Sequence, residues 1–226
     1  MIRELNEFQK SGQDFVETIK KISSKKKVFC NDELLKQLTC FHLEEGWKLG
    51  IRFAGIEPLF KRDDKSSLFV YPEKEFKIFN DFFQARRLHM YLNEDSQHIT
   101  IDATTLGAWQ AVLYNLAPTI LPTIWHWGYI KRTLVFSNDE LKNIPTSFSD
   151  ASITSDFIVN QLGERDIVPM VKMNNNIAIV DFYSWSDWKG LMLEKYEVVF
   201  SDDNRLTSIQ CINTEILVEY NCDVVF

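Results

Sequence analysis

Three carboxylates and a lysine in the C-terminal third are side-chain types that metal-dependent nucleases use. Asp187 and Lys189 form an acid-x-Lys element, in which the carboxylate would bind Mg²⁺ and the lysine would steady the attacking water or the phosphate. Asp166 and Asp181, upstream, are candidate further ligands. Three other segments have the same acid-x-Lys spacing: 63–65, 75–77 and 140–142. Because composition alone repeats the pattern, a small metal-dependent hydrolase is an alternative hypothesis and not the leading one.

A second group of metal-binding side-chain types lies in the segment CFHLEE. On a strand, Cys40, His42 and Glu44 would share one face, and thiolate, imidazole and carboxylate are ligands that Zn²⁺ accepts. Catalytic zinc sites, however, gather their ligands from separated segments, and this spacing matches no standard site. The three residues are therefore weak metal-ligand candidates, and no cofactor is expected. The chain also contains no G-x-S-x-G, P-loop or G-x-G-x-x-G segment.

The segment YSWSDWKG, residues 183–190, is the leading candidate for a binding element. Trp185 and Trp188 are large apolar groups among polar neighbours at the end of a predicted strand, a combination typical of interface hot spots. Asp187 lies between them, and the next predicted turn adds Asp202 and Asp203. These five residues are predicted to contact a partner. The alternative is that both tryptophans fold back and fill the end of the core.

A histidine between two tryptophans occurs in the segment PTIWHWGYIKR, residues 122–132. On a strand, Trp125, Trp127 and Tyr129 would share one face and His126 would lie on the other, so the tryptophans do not enclose the histidine. The aromatic face of 125–129 is predicted to pack in the core. Binding of a small ligand to this face is a third hypothesis.

Charge is distributed unevenly along the chain. Residues 133–226 have six lysines and arginines against fifteen aspartates and glutamates, whereas residues 1–62 have twelve against nine. The acidic C-terminal part makes nucleic acid an unlikely ligand, because phosphate contacts need Lys and Arg. It favours a basic protein partner, and the alternative is that the charge only increases solubility.

The hydrophobic pattern predicts an α+β fold in a single domain, 1–226, with a candidate boundary near 145–152. Helical spacing dominates the first two-thirds, most clearly at Leu106, Trp109, Leu113 and Leu116, and a stop is expected at 117–118. From residue 166 onward the period changes to two, which predicts an antiparallel meander packed against the helices.

The class of protein that these patterns favour is a non-catalytic cytoplasmic interaction module. No apolar run is long enough for a membrane span, the first residues lack a secretory signal, and the four cysteines form no C-x-x-C pair. We expect an inhibitor or immunity-type protein that binds a basic partner through an acidic surface containing tryptophan. The oligomeric state is left open by the sequence.

Overall fold

A computed structural model describes residues 2–24, 32–52, 67–73, 98–120, 131–142, 144, 155–203 and 205–220. The aromatic face of 125–129 and the candidate boundary at 145–152 lie outside these described residues. The described helices are α1 (Ile2–Ser24), α2 (Asp32–Leu35), α3 (Thr105–Ile120), α4 (Asn138–Leu141) and α5 (Ser155–Leu162). The strands are β1 (Phe41–Leu43), β2 (Trp47–Arg52), β3 (Ser67–Pro72), β4 (Ile99–Ile101), β5 (Thr133–Val135), β6 (Met170–Asn174), β7 (Ile177–Ser186), β8 (Gly190–Phe200) and β9 (Leu206–Val218). None of these helices has the length and apolar character needed to cross a bilayer.

Strands β5 to β9 form one antiparallel sheet. The strand order is β5-β7-β8-β9, and β6 pairs with the same edge of β7 as β5, at the other end of that strand. In addition, β1 pairs with β4 and β2 with β3 as two-stranded antiparallel ribbons. The fold is α+β, and the period-two pattern after residue 166 correctly predicts its C-terminal sheet.

The helix α3 connects the N-terminal part of the molecule to the sheet. It begins at Thr105 and continues to Ile120, so the predicted stop at 117–118 is wrong. Pro118 lies in the last turn, where its missing N–H removes a single backbone hydrogen bond. The Thr119 hydroxyl then donates to the Leu116 carbonyl at 2.8 Å, which satisfies one of the terminal carbonyl groups.

Trp109, on α3, lies at the centre of the larger hydrophobic cluster. Its side chain is fully buried, and its indole N–H donates to the Phe8 carbonyl of α1 at 2.9 Å. Its ring packs edge-on against Phe136 and obliquely against Phe182, with centroid distances of 6.3 and 5.9 Å. The same cluster contains buried residues of α1, α3, β7 and β8. The helical part and the terminal sheet therefore share one core.

A smaller hydrophobic cluster lies on the opposite face of the sheet. Tyr183 and Trp185 of β7 point into it, whereas Ala178, Val180 and Phe182 point into the larger cluster, as the alternation of a strand requires. The helices α4 and α5 cover this second face through Leu141 and Ile158, among others. This cluster includes only the C-terminal half of β7.

Gly12 is the position where α1 packs against the rings of Phe136 and Trp109. A Cβ at this position would overlap the Phe136 ring and lie 3.0 Å from Trp109 Cζ2. Both rings are buried, so they have little room to move. α1 can approach these two rings this closely only because residue 12 has no side chain.

We expect Gly12→Ala to destabilise the protein. Overpacking of a buried site costs about 1–3 kcal/mol, whereas alanine returns at most about 1 kcal/mol of helix propensity over glycine. Urea unfolding should show a lower free energy of unfolding. The double variant Gly12→Ala/Phe136→Leu should lose less than the sum of the two single variants, because the smaller side chain removes the overlap. A stabilising Gly12→Ala would contradict this packing.

Candidate functional site

The strands β1 and β4 bring the weak metal-ligand candidates next to residues that the sequence did not connect with them. His42 Nε2 lies 3.0 Å from Asp102 Oδ1, and His98 Nδ1 lies 2.7 Å from Glu44 Oε2. The pairing of His42 with Thr100 in the ribbon places both histidine–carboxylate pairs on one face. The alternation in HITID predicts that His98 and Asp102 share a face. It cannot predict that β4 pairs with β1, more than fifty residues earlier.

The same ribbon does not collect Cys40, His42 and Glu44 into one coordination sphere. His42 and Glu44 each have a separate partner, as given above. Burial raises the pKa of the Cys40 thiol, and the Asp102 charge raises it further against the hydrogen bonds with Thr104 and Thr39, so the metal-binding thiolate is disfavoured. No three His, Cys, Asp or Glu side chains of the described residues are arranged to hold a metal ion.

The four residues of the nuclease hypothesis do not lie together either. Asp181 and Asp187 are six residues apart along the extended β7 and its turn, which corresponds to about 20 Å. Asp181 instead pairs with Lys195 at 3.7 Å, and Asp187 accepts a hydrogen bond from Trp185 Nε1 at 3.0 Å. Lys189 lies in the same turn as Asp187. A single ion cannot bind both Asp181 and Asp187.

Asp166 and Asp181, in contrast, both influence the pKa of the Tyr183 phenol through their negative charges. Burial is the main cause that raises the Tyr183 pKa. The positive charge of Arg165 lowers this pKa, and the negative charges of Asp181, Glu215 and Asp166 raise it. These acids therefore surround the margin of the smaller hydrophobic cluster.

Trp185 and Trp188 have different surroundings in the loop that was predicted to bind a partner. Trp185 is 2 % exposed and stacks on Tyr220, with a centroid distance of 5.3 Å. The alternative interpretation, that a tryptophan fills the end of the core, therefore describes Trp185. Trp188 lies in the β7–β8 turn and is half-buried, with its backbone N–H 3.3 Å from the Ser186 hydroxyl. Trp188 is thus the tryptophan of this loop that a partner can reach.

Asp202 and Asp203 belong to the β8–β9 turn, at the opposite end of β8 from Asp187 and Trp188. The eleven residues of β8 span roughly 33 Å, so the five predicted contact residues do not form one patch. Asp202 accepts a hydrogen bond from Asn176 Nδ2 at 2.8 Å. Asp203 accepts one from the Ser201 hydroxyl and pairs with Arg205 Nε at 3.0 Å. Both carboxylates therefore also hold their turn.

Among the described elements, only α4 and α5 cover the second face of the sheet, and they leave half of it open. Met170 and Ile177 are 40 % and 45 % exposed there. Val171 and Met173 pack against the larger cluster, so Met170 and Lys172 point to the other side. The name open face is used for this surface, which comprises Met170, Lys172, Ile177, Ile179, Glu197 and Val199. Ile179 lies in its middle row between Lys172 and Glu197, Met170 and Ile177 lie at its two ends, and the β8–β9 turn with Asp202 borders it.

The open face and its margin have an excess of uncompensated negative charge. Asp166, Glu197 and Asp202 have no ion-pair partner within the described ranges, and Glu197 accepts only the Gln210 side-chain amide, at 3.0 Å. Lys172 is the one cation of the open face without a carboxylate in ion-pair distance among the described residues.

The polar interior of the sheet contains a buried carboxylate. Glu194 is 5 % exposed, accepts a hydrogen bond from the Ser184 hydroxyl and lies 3.6 Å from Arg132 Nε. Burial and the Glu194 charge raise the pKa of Tyr196, so this phenol remains protonated. Arg132 and the Ser184 hydroxyl thus compensate the buried charge of Glu194, as a carboxylate in a core requires.

A cavity of about 460 Å³ lies between α1, β5 and α4. Its lining has both charges, from Lys20, Lys131 and Arg132 and from Glu17 and Glu140. Glu140 is occupied by hydrogen bonds from the Gln13 amide and the Phe136 backbone N–H, and Arg132 by Glu194. The mixed and internally paired lining shows no preference for one class of ligand.

Comparison of this chain with protein-family models, with curated proteins and with solved structures found no match.

We expect Trp185→Ala and Trp188→Ala to differ strongly in stability. Removal of the buried Trp185 ring should lower the free energy of unfolding by about 3–5 kcal/mol. Removal of the half-buried Trp188 ring should cost clearly less, because less surface is returned to water. Urea denaturation of both variants measures the difference, and equal losses would contradict the placement of Trp185 in the core.

We expect Ser201→Ala to raise the pKa of the Asp203 carboxyl. The Ser201 hydrogen bond is the first cause that holds this pKa below its usual value, and Arg205 adds to it. A lowered pKa means that folding favours the charged form. The contribution of Asp203 to stability is therefore present at neutral pH and lost as the pH falls through that pKa. Carboxyl ¹³C NMR titration measures the shift, and Ser208→Ala is the control that should leave Asp203 unchanged.

Proposed function

We propose that this protein is a non-catalytic interaction module that binds a basic protein through the open face. The observation that carries the proposal is the exposure of two large apolar side chains, Met170 and Ile177, at the two ends of the open face, on a sheet whose other face is packed in the core. Large apolar side chains that are exposed among polar groups are typical of protein-binding surfaces. An inhibitor or immunity-type role is the form of this function that the acidic C-terminal part favours.

The charges around the open face support a basic partner. Asp166, Glu197 and Asp202 contribute three uncompensated carboxylates against the single cation Lys172. Such an excess accelerates association with a positively charged surface and makes that association sensitive to salt. Met170, Ile177 and Ile179 would contribute most of the affinity once the two surfaces meet.

This proposal replaces the predicted contact set with a single surface. Asp202 and Asp203 border the open face and remain at its margin in the proposed interface. Asp187 and Trp188 lie at the far end of β8 and belong to a different surface, and Trp185 acts through the packing of the core.

The test is a pull-down from lysate of the source cells with four tagged baits and stepped salt in the wash. The baits are the wild type, the double variant Met170→Ser/Ile177→Ser, the charge variant Glu197→Lys, and the control Ile216→Ser. Ile216 is as exposed as the residues of the open face but lies on β9 and on the other face of the sheet. We expect a stoichiometric basic protein that the wild type and the control retain and that higher salt releases.

The double variant should bind that protein about tenfold more weakly or worse, which is the loss expected for two interface side chains. Glu197→Lys should mainly slow association, because it reverses one charge at the margin. The affinities are measured by calorimetry on the purified pair. Equal retention by the double variant and the control, or the absence of any stoichiometric partner, would overturn the proposal.

A further inference from the structure

Within the part of the chain that the structure describes, the outer edge of β9 is a long edge of the sheet without a partner strand. β9 has 13 residues and pairs with β8 along one side. Among the strands of the described residues, none pairs with its other side. Most of its residues are exposed, including Ile212 at 44 % and Ile216 at 50 %. The unpaired N–H and C=O groups of such an edge are a template for another strand.

The composition of β9 lacks the usual protection of an edge strand. Edge strands of soluble proteins are commonly short or contain lysine or proline. The segment LTSIQCINTEILV contains neither lysine nor proline, and Glu215 is its only charged residue. Its remaining protection is a series of register shifts against β8, which leave Thr207, Ile212 and Leu217 without a directly opposed residue.

The register shift at Ile212 determines which residues of β9 share a face. Ile209 and Cys211 before it lie opposite Val198 and Tyr196 of β8, and Thr214 and Ile216 after it lie opposite Glu194 and Met192. All four therefore point to the sheet face of the larger cluster. Gln210, Asn213 and Glu215 point to the other face, opposite Glu197, Lys195 and Leu193.

We propose that a second copy of this chain pairs with β9 to form a symmetric dimer with a continuous ten-stranded sheet. The two β9 strands are antiparallel, and the twofold axis passes between Ile212 and Asn213. In this register Ile209 of one copy lies opposite Ile216 of the other. Directly opposed residues of antiparallel strands must point to the same face, and this register meets that condition on both sides of the central bulge.

The charges of β9 are compatible with this pairing. Glu215 of one copy lies opposite the neutral Gln210 of the other. The two Glu215 carboxylates are separated by five residues along the strands, about 17 Å. This distance is longer than the screening length at physiological ionic strength, so the repulsion between the two carboxylates is weak. The two Ile209–Ile216 pairs remove exposed apolar surface from water. Because the dimer is twofold symmetric, β9 of each copy contributes the same residues to the interface.

The first experiment is sedimentation velocity of the purified chain over a concentration series. We expect a reversible dimer for the wild type. Ile212→Lys/Ile216→Lys should weaken it about a hundredfold or more, because two lysines per copy place like charges across the edge. Ile177→Lys, an equally exposed isoleucine on the open face, is the matched control and should still dimerise. A chain that stays monomeric up to its solubility limit, or a β9 variant that dimerises like the wild type, would overturn the proposal.

The register is tested by disulfide trapping in a Cys211→Ser background. Gln210→Cys together with Glu215→Cys should give a covalent dimer on a non-reducing gel, because these positions are directly opposed between copies. The pair Ser208→Cys/Glu215→Cys is displaced by one pair on the same face and should cross-link much more slowly. Equal cross-linking of the two pairs would exclude this register. Ile216→Ser leaves the open face intact, so loss of the dimer and loss of the basic partner are separate results.

Discussion

The fold depends on β7, which must pack against different neighbours on its two faces. Its even-numbered residues 178 to 182 are buried against α1 and α3, while Tyr183 and Trp185 are buried against α4 and α5. β7 also pairs with β5, β6 and β8, so it connects every part of the sheet except β9. Because a slip of one residue would exchange the two faces, the burial of Phe182 on one side and Trp185 on the other defines the register of the whole sheet.

The same constraint leaves one surface of the sheet without cover from the described helices. The helices α4 and α5 are short, with four and eight residues, and they reach only the end of the sheet that contains Tyr183 and Trp185. At the other end, Ile177 and Met170 continue the same sheet face into solvent. A surface of this kind is an expected place for a partner, since its apolar atoms gain from leaving water while the strands beneath keep it rigid.

The long hairpin of β7 and β8 also explains why residues close in the sequence need not act together. Trp188 and Asp203 are fifteen positions apart and are separated by the full length of β8. Asp166 and Asp181 are as far apart in sequence, yet both act on the Tyr183 phenol. His98 contacts Glu44 across a separation of 54 residues because β4 pairs with β1. Residues that are distant in the sequence form a shared site only where strand pairing or packing brings their side chains together.

The sequence by itself determined the local elements, because helix and strand periods are properties of neighbouring residues. The stripe of Leu106, Trp109 and Leu113 predicted α3, and the period-two pattern after residue 166 predicted the α+β class with its terminal meander. The end of α3 was missed because core packing outweighs the cost of a proline in the last turn: Leu116 and Ala117 are buried in the larger cluster, and Ile120 packs against it. The tertiary structure alone decided that Trp185 is buried and that Ile177 is exposed. Both residues lie on the same face of the same strand, and their different exposure follows from which half of the sheet α4 and α5 can cover.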